Sequence, residues 1–462
     1  MLKSLRIQNF KCWRDTGDIR MAPITLFFGC NSSGKSSIGQ FLMLLKQTAE
    51  SSDRRAVLYP GGKGSAVQLG TYRDMVFRHV QEQNIAFSYV WNMLESLRVK
   101  NPETEQSFFG NVLAFNAEIG LNEAQSMCVK RFNYTLDDDH GFSVGMAQAG
   151  TAKTGGYRVD SDKYHLKRKK GRAWDIPAPV KFYGFPDEVV AYHQNADFTH
   201  LLNLEHEKFF NSISYLGPLR MKAERTYLWQ GITPETVGFS GENAVAAILA
   251  SKNRRISLGY RKQAKSFDEI IATSLYKMGL VEKVKVVAIS EQRQEYEVKV
   301  LTKGGREWVD LPDVGFGISQ VLPVLVQCYY APRGSIILME QPEIHLHPRA
   351  QALLADVMID VIHSRENGKP RNIQLIIETH SEHFLRRLQR RIAEQSLSDK
   401  ELAVYFANVD RNPARLEPLQ LDLFGNILNW PENFFGDEME DITAQTKASL
   451  QRRMQMEQNH HA

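Results

Sequence analysis

An apolar run, Ile24-Thr25-Leu26-Phe27-Phe28, passes straight into Gly29-Cys30-Asn31-Ser32-Ser33-Gly34-Lys35-Ser36-Ser37. The spacing Gly29-x-x-x-x-Gly34-Lys35-Ser36 is that of a loop that wraps a phosphate chain between a strand and a helix. Successive backbone N–H groups form an anion nest, and the following helix adds the positive end of its dipole. Candidate cofactor-binding residues are therefore Gly29, Asn31, Ser32, Ser33, Gly34, Lys35, Ser36 and Ser37. Lys35 is expected to reach the β- and γ-phosphates, and the Ser36 hydroxyl to ligate Mg²⁺. The competing reading is a glycine-serine turn before an ordinary helix. The complete pattern and the strand upstream weigh against it.

A chain of 462 residues can bury a large core and is expected to form two or three lobes. With 43% hydrophobic and 24% charged residues it has a globular composition. No apolar stretch approaches the roughly 18–20 residues of a membrane span, so no membrane partner is expected. The N-terminus, Met1-Leu2-Lys3-Ser4-Leu5-Arg6-Ile7, alternates like a strand and not like a signal peptide. Cys12, Cys30, Cys128 and Cys328 are scattered, so neither a zinc site nor a disulfide framework is expected, and a cytoplasmic location is. Net charge is +4, which neither demands nor excludes nucleic acid. Basic residues cluster at 167–172, more loosely at 252–265, and at Arg386, Arg387, Arg390 and Arg391. Such runs are commonly solvated faces.

Along the chain, residues 1–28 read as two strands around a turn. A helix is expected over 34–50, with Ile38, Phe41, Leu42, Leu44 and Leu45 on its buried face. From 84 to 185 short alternating runs, including Ile85 to Val90, Val112 to Phe115 and Val180 to Tyr183, predict an antiparallel sheet. The Gly-, Lys- and Ser-rich stretch 148–173 reads as an exposed loop. Helices are expected over 187–213 and 241–280, the latter capped near Ser240, and strands over 283–289 and 295–301. The polar tail from 438 reads as an exposed helix or a frayed end.

Ser335-Ile336-Ile337-Leu338-Met339-Glu340 is a buried-strand run that ends in an acid, the Walker B arrangement. It makes Glu340 a second candidate Mg²⁺ ligand. Gln341, Glu343, His345 and His347 follow closely. A further buried strand, 373–378, ends in Glu378 before Thr379-His380-Ser381. His380 is a candidate γ-phosphate sensor, the other reading being a packed or surface histidine. Upstream, Gly315-Phe316-Gly317-Ile318-Ser319-Gln320 opens an apolar helix, a second anion-binding geometry.

In this order, with Asn9-Phe10-Lys11 at the start, these motifs resemble the ABC-type heads of SMC-like and OLD-like AAA ATPases. They are similar in particular to a bacterial group known mainly as a domain of unknown function. The residues that carry this are Tyr215 to Arg220, Glu340 to Glu343, Glu378 to His383, and Asn429 to Phe435. The likeness covers nearly the whole chain, most thinly 100–180 and the tail, and no TOPRIM nuclease domain is expected after the ATPase part. It implies an α/β fold, an ABC-type P-loop NTPase head with an antiparallel β lobe and a helical subdomain. The expected division is 1–100 for the N-terminal head, 101–186 for a β-rich lobe with a basic loop, and 187–281 for a helical subdomain. The C-terminal head follows over 282–436, and a polar tail over 437–462.

The resemblance implies ATP and Mg²⁺ as cofactors and a homo-oligomer built from head-to-head dimers. The phosphate loop of one subunit would face Gly315, Gly317, Ser319 and Gln320 of the other. It also implies an ATPase that uses dimerisation as a switch or scaffold in prokaryotic antiphage defence, with a separate effector such as a nuclease. A DNA-binding ATPase of repair or recombination is the second reading, and a transporter subunit the third. The pattern departs from its relatives at one place. Where they carry Asp-Glu, this chain carries Glu340-Gln341, and a glutamine cannot accept a proton as a carboxylate does. Slow hydrolysis follows, unless Glu343, Glu378 or His380 serves as the base. Catalytic candidates are thus Lys35, Glu340, Gln341, Glu343 and His380. Gln68 aligns loosely with a glutamine that links nucleotide to the neighbouring lobe, and Arg220 is either a trans-acting arginine or a structural ion pair.

Overall fold

The structure, a computed structural model, describes all residues except 103, 105, 137–140, 150–155, 172–174, 291–292, 409–412, 432–433, 435–442, 451 and 453–462. Its centre is a six-stranded sheet in the order Ile213–Leu216, Ile336–Glu340, Gln374–Glu378, Ile24–Gly29, Leu402–Asn408 and Arg415–Leu419. The first five strands are mutually parallel and the last is antiparallel to its neighbour. These strands read as nearly unbroken apolar runs because both faces are buried. Alternate side chains serve two different cores. Ile24, Leu26 and Phe28 point into one with Ile337, Met339, Leu375 and Ile377, while Phe27 points into the other with Ile336, Leu338 and Ile376.

One core lies under the helices Ala244–Ala250, Phe267–Lys277, Phe316–Tyr330, Pro348–Ile362 and Glu382–Ala393. Arg371, fully buried, fastens the end of Phe316–Tyr330 by donating to the carbonyls of Cys328 (3.2 Å), Tyr329 (2.9 Å) and Ala331 (2.5 Å). The other core joins the parallel sheet to an eight-stranded antiparallel lobe through the helices Lys35–Glu50 and Phe198–Asn211. All five residues expected on the inner face of Lys35–Glu50 are buried in it. Ile85, Phe87, Tyr89 and Trp91 alternate inward from the long strand Ile85–Lys100. Each such buried side chain contributes roughly 1.5–3 kcal/mol.

The antiparallel sheet runs from Leu2–Phe10 through Ile85–Lys100, Ser107–Leu121, Met127–Leu136, Phe142–Gln148 and Tyr157–Ser161. It therefore runs across residue 100 and draws on both N-terminal divisions. Four short strands, not two, occupy 1–28. The run Val180 to Tyr183 forms a turn closed by mutual Val180–Gly184 hydrogen bonds of 2.8 Å. Lys181 takes a left-handed φ of 54° there, which ends the extension. Its ammonium instead reaches back to the carbonyls of Ala49 (2.6 Å) and Ser51 (2.8 Å), at the negative end of Lys35–Glu50. The stretch 148–173 holds the strand Tyr157–Ser161, its residues 150–155 and 172–173 lying outside the described set. The 187–213 region divides into Asp187–Tyr192 and Phe198–Asn211, and the helix expected at Ser240 starts at Ala244 with Asn243 as its cap. Residues 443–450 of the tail are helical and exposed, and most of the rest lies outside the described residues. Among those described, no helix is long and apolar enough to cross a membrane.

Candidate functional site

The parallel register brings Glu340, Glu378 and Phe27 side by side at the carboxyl edge of three adjacent strands. Ligands of open α/β sheets bind at this edge. The phosphate loop leaves the same edge at Gly29. A Cβ there would lie 2.4 Å from the Ala407 carbonyl oxygen, so no other residue fits. At Gly34, the helix cap, φ is +90°, and a Cβ would sit 2.2 Å from Cys12 Sγ and 3.2 Å from the Trp13 ring. The loop is thus pressed from behind by the turn that links the first two strands. Trp13, wholly buried, donates from Nε1 to Ser37 Oγ at 2.8 Å.

A cavity of about 550 Å³ opens in front of the loop. Residues 31–37 form one wall, Glu340, Gln341, Glu378 and His380 the second, and Lys11, Cys12, Gln40 and Pro218 the rim. Lys35 Nζ is held by the carbonyls of Gly29 (3.0 Å) and Cys30 (2.7 Å) and by Ser33 Oγ (3.3 Å). Burial lowers its pKa, with Glu378 opposing that. Ser36 Oγ donates to Glu378 Oε1 at 2.9 Å, and Tyr215 OH donates to Glu340 Oε1 at 2.8 Å. Burial and the neighbouring Glu378 charge push the Glu340 carboxyl up to about 7, partly offset by the Tyr215 bond. Burial raises Glu378 and Glu343 as well. Burial also lowers His380, with the Lys35 charge in support.

Glu343 lies beside the cavity and does not line it. Its Oε1 accepts from Thr379 Oγ1 (2.6 Å) and the His380 backbone N–H (2.9 Å), so it holds the turn that presents His380. Gln341 has a left-handed φ of 46°, and its N–H donates to the Glu378 carbonyl at 2.8 Å. Arg220 is buried and donates to the carbonyls of Glu340 (3.1 Å) and Gln341 (3.3 Å), and burial brings its pKa down to about 10. Its place is within its own chain, bracing the acid-bearing turn.

Sequence reasoning on its own passes over three features. Tyr215 and Arg220 stand more than 100 positions from Glu340, whose carboxylate the first holds and whose backbone carbonyl the second holds, and Ser36 and Glu378 are separated by 342. The motif letters carried the one available signal, an acid at the end of a buried strand next to Thr379-His380.

Gly315, Gly317, Ser319 and Gln320 lie apart from this cavity. Gly315 caps the helix Phe316–Tyr330 and is exposed, as is Phe316, whose ring meets that of His345 edge-on at 4.8 Å. Ser319 is buried, its hydroxyl donating to the Phe316 carbonyl at 2.8 Å. His347 caps Pro348–Ile362, its Nδ1 accepting from the Arg349 N–H. Gln68 is exposed and away from the cavity. Among the basic clusters, Arg386, Arg387, Arg390 and Arg391 are each paired with an acid, namely Glu382, Asp356, Glu394, and Asp356 with Glu394.

Family models match three segments of the chain. Residues 193–386 match a family described as "AAA domain, putative AbiEii toxin, Type IV TA system". Residues 1–119 match "AAA ATPase domain", and 397–445 a protein family of unknown function, DUF3696. Comparison with curated proteins found no match. Among solved structures, the SMC head domain from Thermotoga maritima aligns at 10% identity and a TM-score of 0.40, covering 91% of this chain and 99% of its own. An SMC head with an extended coiled coil bound to the C-terminal domain of ScpA, from Pyrococcus furiosus, aligns at 10% identity and 0.42, covering 91% and 96%.

Proposed function

We propose that this chain, which matches AAA-domain families over 193–386 and 1–119, is an ABC-type ATPase of the SMC-like kind that binds ATP with Mg²⁺ in the cavity before its phosphate loop and uses the bound nucleotide to hold two copies together. The carrying observation is a division of labour. Phosphate loop, acids and His380 converge in one cavity, while Gly315 to Gln320 stand outside it beside an exposed cap. A second copy facing the first would bring that segment, with Ser319, to the γ-phosphate. Loss of the γ-phosphate would remove the contact that favours the pair.

Within one chain, the loop N–H groups and Lys35 would cradle the phosphates, and Ser36 with Glu340 would hold the cation. Mg²⁺ would supply charge neutralisation at the transferred phosphoryl group. His380, held through its backbone by Glu343, would meet the γ-phosphate. Gln341 stands where a general base is needed and cannot act as one, and that assistance is worth about 10²–10⁴-fold. Turnover is therefore slow and the ATP-bound pair long-lived, as suits a switch. Such a switch would serve a defence setting in the cytoplasm, with a separate effector such as a nuclease; the description of one matched family, a putative toxin of a type IV TA system, supports the defence setting alone.

The test is ATP turnover and solution mass measured together for wild type, Lys35→Ala and Gln341→Glu. A slow wild type that dimerises with ATP, and turns over faster as Gln341→Glu, is the expected result. Fast wild-type turnover without an ATP-dependent dimer sinks the proposal.

A DNA-binding role retains one supporting surface. Exposed Tyr260 is flanked by Arg261 and Arg365, with guanidinium carbons 5.1 and 5.5 Å from its ring centre. DNA affinity that falls steeply with salt and drops in Arg261→Ala would favour that reading.

A further inference from the structure

Glu378, a candidate base from the sequence, is placed by strand register beside the phosphate loop, and the phosphate-site motifs do not count it among the metal ligands. Its strand lies between the phosphate-loop strand and the Glu340 strand, in register with both. Adjacent strands lie about 4.8 Å apart, so the Glu340 and Glu378 carboxylates are forced into each other's field. One oxygen of Glu378 takes the Ser36 hydroxyl at 2.9 Å. The other, Oε2, is buried and has no hydrogen-bond partner among the described residues. Two neighbouring carboxylates with an open, buried oxygen, facing a serine hydroxyl, make a set of hard donors suited to a small divalent cation.

We propose that Glu378 is a second carboxylate ligand of the divalent cation, which it shares with Ser36 and Glu340. The proposal rests on the reading of this cavity as a nucleotide site. Mg²⁺ is usually bound by one or two carboxylates together with substrate phosphates and water. Among the described residues no group of three His, Cys, Asp or Glu side chains forms a cage, which leaves the remaining positions to phosphate and water. The arrangement also accounts for the charge missing from the Glu340 strand. Gln341 removes one carboxylate there, and Glu378 restores one on the strand next to the loop. Without the cation, two carboxylates repel the phosphates, so the nucleotide binds far more tightly with the metal than without it.

Mn²⁺ titration followed by electron paramagnetic resonance, in the presence of a non-hydrolysable ATP analogue, tests this without reference to turnover. Glu378→Gln keeps the shape and an acceptor for Ser36. It is expected to weaken Mn²⁺ binding about 10–100-fold, and Glu340→Gln is expected to do the same. Glu378→Asp, which keeps the charge, is expected to fall between Gln and wild type. Analogue binding in EDTA is expected to be as tight in Glu378→Gln as in wild type, or tighter. Wild-type Mn²⁺ affinity in Glu378→Gln, with analogue binding lost in Lys35→Ala, overturns the proposal and leaves the nucleotide site standing. Analogue binding that survives Lys35→Ala removes the nucleotide reading, and this proposal with it.

Discussion

The carboxyl edge of the parallel sheet and the aromatic interior of the antiparallel lobe both bury polar groups, and they treat them in opposite ways. In the lobe, His206 is fully buried. Its Nε2 lies 2.6 Å from Tyr89 OH, its Nδ1 2.7 Å from Tyr134 OH, and the Tyr183 ring stacks on it at 4.3 Å. Tyr134 OH also donates to the Tyr183 carbonyl, so it accepts from Nδ1–H, and Nε2 accepts from Tyr89. A neutral imidazole satisfies every partner. At the sheet edge, three acids are raised by burial, and Glu343 Oε2 and Glu378 Oε2 have no partner among the described residues. A closed network holds a fold together, and an open one waits for something to bind.

The largest effect expected from this contrast is at the open end. Lys35→Ala removes the cation that faces the acids and should lower ATP turnover by on the order of 10²–10³-fold. The fold should stay intact, with a melting temperature near that of wild type. Turnover that persists would mean the edge is not the reaction site. In the closed network the pattern inverts. His206→Leu strands the Tyr89 hydroxyl, which donates to Nε2, and leaves Tyr134 OH only its bond to the Tyr183 carbonyl; it should cost roughly 1–3 kcal/mol of stability, while nucleotide affinity holds once the protein is folded. A melt unchanged by this substitution would show that the lobe does not depend on its network.

Acid sharpens the same comparison. Burial holds the folded-state pKa of His206 well below 6.5. Below pH 6.5 the unfolded chain binds a proton that the folded chain refuses. The His206 contribution is therefore whole above that pH and is lost below it, by up to about 1.4 kcal/mol per pH unit. Melts at pH 5 and 7.5 should show a larger difference for wild type than for His206→Gln. Equal differences would mean that the imidazole is protonated in the folded protein.

Much of the sheet edge was legible because its letters carry chemistry. The phosphate loop, the helix behind it and the two acid-tipped strands stand where the pattern puts them, since a glycine loop after an apolar run and an acid at the end of one have few other uses. The order of the strands was not legible. Parallel neighbours are chosen by packing across hundreds of residues, so nothing local says that Glu378, and not Glu340, lies next to Ser36. The alternation at Val180 to Tyr183 is real, yet Lys181 turns the chain and spends its charge on a helix end. The arginines at 386–391 read as a solvated face, yet Glu382 and Glu394 neutralise them along their own helix, and Asp356 on another helix takes Arg387 and Arg391. Charge runs show their net effect only once their neighbours are placed.

The two regions meet at Trp13, and the smallest expected effect tests whether that meeting matters. Its indole N–H donates to Ser37 Oγ, which in turn donates to the Gly34 carbonyl, while its ring packs behind Gly34. Trp13→Phe keeps most of the packing and removes the hydrogen bond, a loss of about 1 kcal/mol. If the lobe sets the shape of the phosphate loop, that loss should appear as roughly fivefold weaker nucleotide binding. Ser37→Ala should cost a similar amount, and the double variant no more than either alone. Losses that simply add would mean that lobe and loop touch without coupling, and the closed region would then have no hold on the open one.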